Sequence, residues 1–273
     1  MVTLDTASRA ETPIAFIHEM IRAYRARGLD PSSALAKAQI APNLLKNSHA
    51  RVTAWQMEWM SEAAMRELDD EALGWFRRRL PWGSYGMLAR ASVTAPTMGV
   101  AMKRWCRHHN LLTDDITLSL SVTDGLAHIH LTEHPERHDL GEAREFCIVS
   151  ILRNALGVAC WLTDSRITLT HTQLHFPAPA HAASYRVLFE GRVEFDPAST
   201  PPVSRISFDA GYLSLPIRRD EAALQRMLQR ALLLTVRPYR RDRLLVEKVR
   251  QVLVDHLEQA RTADEVAAYL GLS

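Results

Sequence analysis

Residues 116–122 and 126–132 read ITLSLSV and LAHIHLT, and Thr123-Asp124-Gly125 joins them. Both runs alternate apolar and polar side chains, the pattern of a strand with one face buried. Asp-Gly tolerates the positive φ angles of a tight turn, so the stretch predicts an antiparallel hairpin. It also divides the chain, because the apolar period before it is helical.

Upstream, Ile14, Ile17, Ile21 and Tyr24 form a helical stripe, and Asp30-Pro31 reads as the opening of a second helix. Thr53 and Gln56 make a capping box for another, whose apolar face offers Trp55, Trp59 and Met60. Further helices are expected over 84–92 and, after Pro96-Thr97, through Met102 and Trp105 to His108-His109. Downstream, EAREFCIVSILRNALGVACWLT (142–163) predicts a long helix and ITLTHTQLHF (167–176) a strand. A short helical segment at 185–189 and strands RVEF (192–195) and SRISFDA (204–210) follow. The helical period returns at Arg219, with Leu224, Met227, Leu228, Ala231 and Leu234 on one face. RPYRRDR (237–243) interrupts it, and Val246, Val249, Leu253 and Leu257 stripe the next helix. In the closing TADEVAAYLGLS (262–273), Thr262 and Glu265 make a second capping box and Gly271 suits a left-handed helix end.

The expected fold is therefore α+β: a helical N-terminal subdomain (1–112), then a mostly antiparallel sheet with packed helices (113–217). Dimerisation or linker helices (218–260) and one further helix (261–273) complete it.

Hydrophobic residues make up 47% of the 273 and charged residues 23%, ordinary values for a globular chain. A net charge of +2 does not point to nucleic acid by itself, and nearly all the positive charge is arginine. No stretch reads as bilayer-spanning, and MVTLDTASRAETPIAF lacks the basic-then-apolar layout of a signal peptide, so a cytoplasmic protein without membrane contact is expected. Cys106, Cys147 and Cys160 have no CxxC spacing and read as reduced core thiols. In WGSYG (82–86) Ser84 directly follows Gly83, which is not a nucleophile elbow. In TEHPERH (132–138) Pro135 stands where a zincin helix needs glutamate. His128 and His130 share one strand face, as do His171 and His175; were the two strands neighbours, four imidazoles would converge on a metal. That is the enzyme alternative. The main reading is a protein without catalysis or cofactor.

LHFPAPAHAASYRVLFEGRVEFDPAS (174–199) followed by ISFDAGYLSLPIRRDEAAL (206–224) resembles the effector-domain signature of AraC/XylS-type transcriptional regulators, in the subgroup whose sensor is not cupin-like. Phe176-Pro177, Pro179, His181, Tyr185, Phe189, Val193, Phe195, Phe208, Leu213 and Leu215-Pro216 carry it, and RVTAWQMEWM (51–60) and SVTAPTMGVAMKRW (92–105) add to it. On this resemblance TADEVAAYLGLS matches the first helix of a helix-turn-helix, cut before the helix that reads DNA. The resemblance implies a cytoplasmic homodimer that binds a small-molecule effector and promoter DNA, the latter through a C-terminal domain missing from these residues. A dimerisation module without ligand response is the alternative within the same class.

The helix at 142–163 is apolar almost all round and should be buried, yet it carries Ser150, Arg153 and Asn154 at its middle. A buried guanidinium needs an acidic partner or an anionic ligand. Arg153 and Asn154 are accordingly candidate ligand contacts, with Trp82, Tyr85, Trp105 and Trp161 as apolar walls and His175 as a further polar group. Each aromatic has core packing as its competing reading. The candidate dimer contact is Val246, Val249, Leu253 and Leu257, which compete with packing back onto the sheet.

Overall fold

The computed structural model describes residues 10–231, 239, 241–256 and 262–271. Two short strands, β1 (Ala10–Pro13) and β2 (Arg51–Thr53), pair antiparallel and bracket helices α1 (Ile14–Ala26), α2 (Ser32–Lys37) and α3 (Pro42–Leu45). The alternation rule misses this pair because neither strand is long enough to show a period. The α1 stripe of Ile14, Ile17, Ile21 and Tyr24 is buried as its spacing predicts. α4 (Ala54–Glu67) starts with the expected box: Gln56 N donates to Thr53 Oγ1 at 3.2 Å, and Thr53 N donates to Gln56 Oε1 at 3.0 Å. α5 (Ser84–Val93) and α6 (Met98–His109) complete the helical part.

β3 (Ile116–Thr123) and β4 (Leu126–Glu133) are the hairpin, and Asp124 and Gly125 take φ of 51° and 75° at its turn. α7 (Arg144–Thr163), β5 (Leu169–Leu174), α8 (Ala183–Phe189), β6 (Val193–Phe195) and β7 (Val203–Asp209) follow. The five strands lie in the order β3-β4-β7-β5-β6, antiparallel except for the parallel pair β5 and β6. Leu118, Ala127, Ile129, Leu131, Ile206, Phe208 and Leu174 are buried, while His128, His130 and Arg205 keep partial exposure.

α7 is buried along its length, packing on α6, β4 and β7, with Phe146 against Phe16 and Trp75 at ring distances of 4.8 and 5.1 Å. One expectation needs correcting here. Gly141–Thr163 is long and apolar enough, by length and composition, to cross a membrane, although 78% of that window is buried inside this fold. The all-round apolar surface of a core helix satisfies the same composition test as a bilayer span.

α9 (Glu221–Leu228) packs against α5, and α10 (Arg243–Asp255) and α11 (Ala263–Tyr269) end the described chain. Asp220, Asp242 and Thr262 cap them, and Glu265 closes the predicted box on α11. Gly271 takes φ of 64°.

Candidate functional site

The cavity that gathers most of the sequence-derived candidates lies between α4, α5, α6, α7 and the end of α9, and holds about 430 Å³. That lies within the usual range of small-molecule pockets.

One wall is the loop between α4 and α5, shaped by two adjacent carboxylates. Asp70 is fully buried and accepts hydrogen bonds from the backbone N–H groups of Ala72 (3.0 Å), Gly74 (2.9 Å) and Leu80 (3.0 Å), as well as from Arg27 Nη2 at 2.7 Å. The loop is thereby wound around a single side chain. Glu71 accepts from Gly83 N and Tyr85 N, both at 2.6 Å, and so caps the start of α5. Gly83, the N-cap residue at φ of 102°, has no side chain with which to do so. Burial raises the Glu71 carboxyl above its ordinary value against the lowering effect of these two amides. The result is a fixed placement for Trp82 and Tyr85 at the cavity edge.

The opposite wall comes from two helices. On α6, Trp105 and His109 stand one turn apart, and the Trp105 ring meets Tyr85 edge-on at 5.5 Å. On α7, Phe146, Ser150 and Asn154 follow the same four-residue spacing and line the cavity together. His109 is only 6% exposed, and burial lowers its imidazole to a pKa of about 4, so it is neutral at neutral pH. Among the described residues, no side-chain hydrogen bond is made by His109, Ser150 or Asn154. The charged groups differ in this respect. Glu58 accepts from Arg230 Nη2 at 2.8 Å, Glu62 pairs with Arg66 at 3.0 Å, and Arg66 also lies over the Trp82 ring at 4.4 Å.

Of the candidates named from sequence, the structure thus brings Trp82, Tyr85, Trp105 and Asn154 to one cavity. It does not bring Arg153, Trp161 or His175 there. Arg153 follows the cavity-facing Ser150 by three positions but precedes Asn154, which places it off the Phe146-Ser150-Asn154 line. Its Nε is closed off without a hydrogen-bond partner, and Glu190 and Cys160 are its electrostatic neighbours. Trp161 is a buried core ring with Arg219 over it at 5.6 Å, and Arg219 Nε donates to its carbonyl at 2.8 Å. His175 is bound in the turn after β5: its backbone N–H donates to Ser204 Oγ at 2.9 Å, and its Nδ1 lies 2.8 Å from the Asp196 carbonyl. His109 was not singled out by sequence reading, although its spacing from Trp105 puts both on one helix face.

Nor do the four sheet histidines meet, because β7 runs between β4 and β5. His128 Nδ1 lies 2.8 Å from Ser207 Oγ, His130 Nε2 2.8 Å from Ser121 Oγ, and His171 Nε2 2.9 Å from Glu194. Among the described residues, no three His, Cys, Asp or Glu side chains group as a metal site requires.

At the other end of α7, Asp164 takes the left-handed cap at φ of 52° and binds two arginines. Arg219 Nη2 and Arg243 Nη2 each donate to it at 2.8 Å. Tyr212 donates to Asp242 at 2.5 Å, and Lys248 to Asp209 at 2.6 Å. These bonds tie the first turns of α10 to the end of α7 and to the sheet. Beyond them α10 has no buried residue: Val246 is 53% and Leu253 41% exposed, and Val249 is half-buried. Leu257 and Leu234 lie outside the described residues.

Comparison with known families identifies the class of the α+β part. Residues 28–217 match the family described as the arabinose-binding domain of AraC transcription regulators, N-terminal. The chain belongs to that family of regulators. A solved structure, the transcriptional regulator CdpR from Pseudomonas aeruginosa, is similar at 16% identity and a TM-score of 0.42, over 89% of this chain and 74% of that one. A comparison with curated proteins gives no match.

Proposed function

We propose that this chain is the effector-sensing and dimerisation region of an AraC-type regulator, in which a small molecule held in the cavity changes how readily a C-terminal helix-turn-helix domain, not among these 273 residues, binds its promoter. The observation that carries the reading is the cavity of about 430 Å³, in which aromatic walls surround His109, Ser150 and Asn154, none of which makes a side-chain hydrogen bond among the described residues. Binding of this kind shifts a population between two states rather than making or breaking bonds. Asp164 offers a physical route out of the sensor, because it joins the far end of the cavity helix to the linker helix. The dimerisation part of the proposal is supported by the apolar residues left exposed on α10, Val246 and Leu253 among them, since two reading heads need a fixed spacing.

Thermal-shift measurement in cell extract, on the wild-type chain and on Ser150→Phe, tests the reading. Ser150 faces the cavity, so a benzyl group there narrows it and removes the hydroxyl. The wild type is expected to gain thermal stability in extract and the folded variant not to. Equal shifts in both, or none in the wild type, would refute the cavity as an effector site.

A further inference from the structure

Every charged group lining the cavity is already engaged, and the lining groups that make no side-chain hydrogen bond among the described residues are uncharged. Glu58 is held by Arg230, Glu62 by Arg66 and Glu71 by two backbone amides, while Arg66 is shared between Glu62 and the Trp82 ring. His109, Ser150 and Asn154 come from two neighbouring helices and make no side-chain hydrogen bond among the described residues. His109 is buried and Ser150 and Asn154 are half-buried, so a ligand hydroxyl or carbonyl that reaches them would pair polar groups already largely removed from water. A ligand carboxylate would meet three resident carboxylates and no free cation among the lining residues described. A ligand ammonium would lose its hydration and find those carboxylates committed.

We infer that the cavity takes an uncharged aromatic molecule whose hydroxyl or carbonyl group hydrogen-bonds to His109, with Ser150 and Asn154 as further partners. The inference rests on the cavity being the effector site. Flat rings suit the space between Trp82, Tyr85 and Trp105, and a neutral imidazole serves as donor or acceptor without imposing a charge. Nδ1 of His109 is closed off from solvent, which leaves Nε2 as the nitrogen a ligand would meet.

The test is isothermal titration of the whole chain with four compounds of one shape: 2-naphthol, naphthalene, 2-naphthoate and 2-naphthylmethylammonium. The expected order puts 2-naphthol first, about tenfold tighter than naphthalene, with both ions at least tenfold weaker than 2-naphthol. His109→Phe is expected to bind naphthalene as before and to lose the advantage of 2-naphthol. The order of the four on the wild type needs no variant, so the charge rule stands or falls even where His109→Phe folds badly. Binding of 2-naphthoate or the ammonium as tight as that of 2-naphthol would overturn the inference. So would a 2-naphthol advantage that survives in a folded His109→Phe, or a lack of binding by all four while Ser150→Phe still abolishes the extract shift. In these cases the cavity reading survives. If Ser150→Phe leaves the extract shift unchanged, the cavity reading fails and the inference with it.

Discussion

α7 and α10 are both rich in apolar residues, yet from Phe146 to Thr163 all of α7 but Ser150, Arg153 and Asn154 is buried, and α10 has no buried residue at all. The difference lies in distribution around the helix. In α7 apolar side chains occur on every side, which an apolar surrounding on all sides accommodates, and in this fold the core supplies it. In α10 most of them, Leu245, Val246, Val249, Val252 and Leu253, occupy one side, opposite Glu247 and Gln251. One-sided apolarity is satisfied equally by a core or by a partner, so pattern alone does not choose. Here the N-terminal end of the helix is anchored by Arg243, Lys248 and the partly buried Leu244, while Val246, Leu253 and Val254 face outward. The molecule thus holds a closed sensor and, tied to it by polar bonds, a helix with an uncovered apolar face.

The largest expected effect is in the closed part. Trp161→Ala removes a buried ring from α7, and large aromatic truncations in a core cost about 3–5 kcal/mol. The equivalent truncation on α10, Val254→Ala, removes a side chain that is 67% exposed and should change stability by less than about 0.5 kcal/mol. Urea unfolding of both variants checks the contrast; comparable losses would mean that α10 is part of the same core.

Asp164 tests the join between the two parts. Burial raises its carboxyl, but the hydrogen bonds from Arg243 and Arg219 outweigh burial and hold it below the ordinary carboxylate value. A depressed folded value means that its contribution is complete above the unfolded pKa of about 4 and is lost as pH falls through the folded value. Asp164→Asn keeps a residue tolerant of the left-handed cap and removes the charge. Because Asp164 is partly exposed, the loss of global stability should be about 1 kcal/mol or less. Protection against hydrogen exchange, taken relative to the unstructured-chain rate at the same pH, should instead fall over 243–255 and stay unchanged over 144–163, in the variant at pH 7 and in the wild type once the pH drops below the depressed folded value. Faster exchange in both helices, or in neither, would show that Asp164 does not dock α10.

Much of this division was readable in advance because it is local. The hairpin, the capping boxes at Thr53 and Thr262 and the all-round apolar helix each depend on residues within a few positions of one another. Strand order is not local: β4, β5 and β7 all carry strand patterns, and nothing in them says that β7 lies between the other two, which is what keeps the histidines apart. In the cavity the aromatics Trp82, Tyr85 and Trp105 are legible as large apolar groups, whereas in the sequence the charge of Arg153 stands out over the neutral Ser150. Helix geometry decides otherwise, since Phe146, Ser150 and Asn154 share a line that Arg153 does not. Asp70 and Glu71 shape the loop through backbone bonds, which no side-chain pattern announces.

The smallest effect on the fold, and the sharpest test of the uncovered face, is Leu253→Glu. A carboxylate at a 41% exposed position costs a monomer little, because water solvates it as it would any surface glutamate. In a two-fold dimer built on this face the same substitution enters twice, placing two like charges in a dehydrated contact. The variant should therefore keep its circular dichroism and sediment as a monomer where the wild type sediments as a dimer. A dimer unchanged by the substitution would put the subunit contact elsewhere. An unfolded variant would mean that the face is covered by the chain's own core, and α10 would then differ from α7 in degree only.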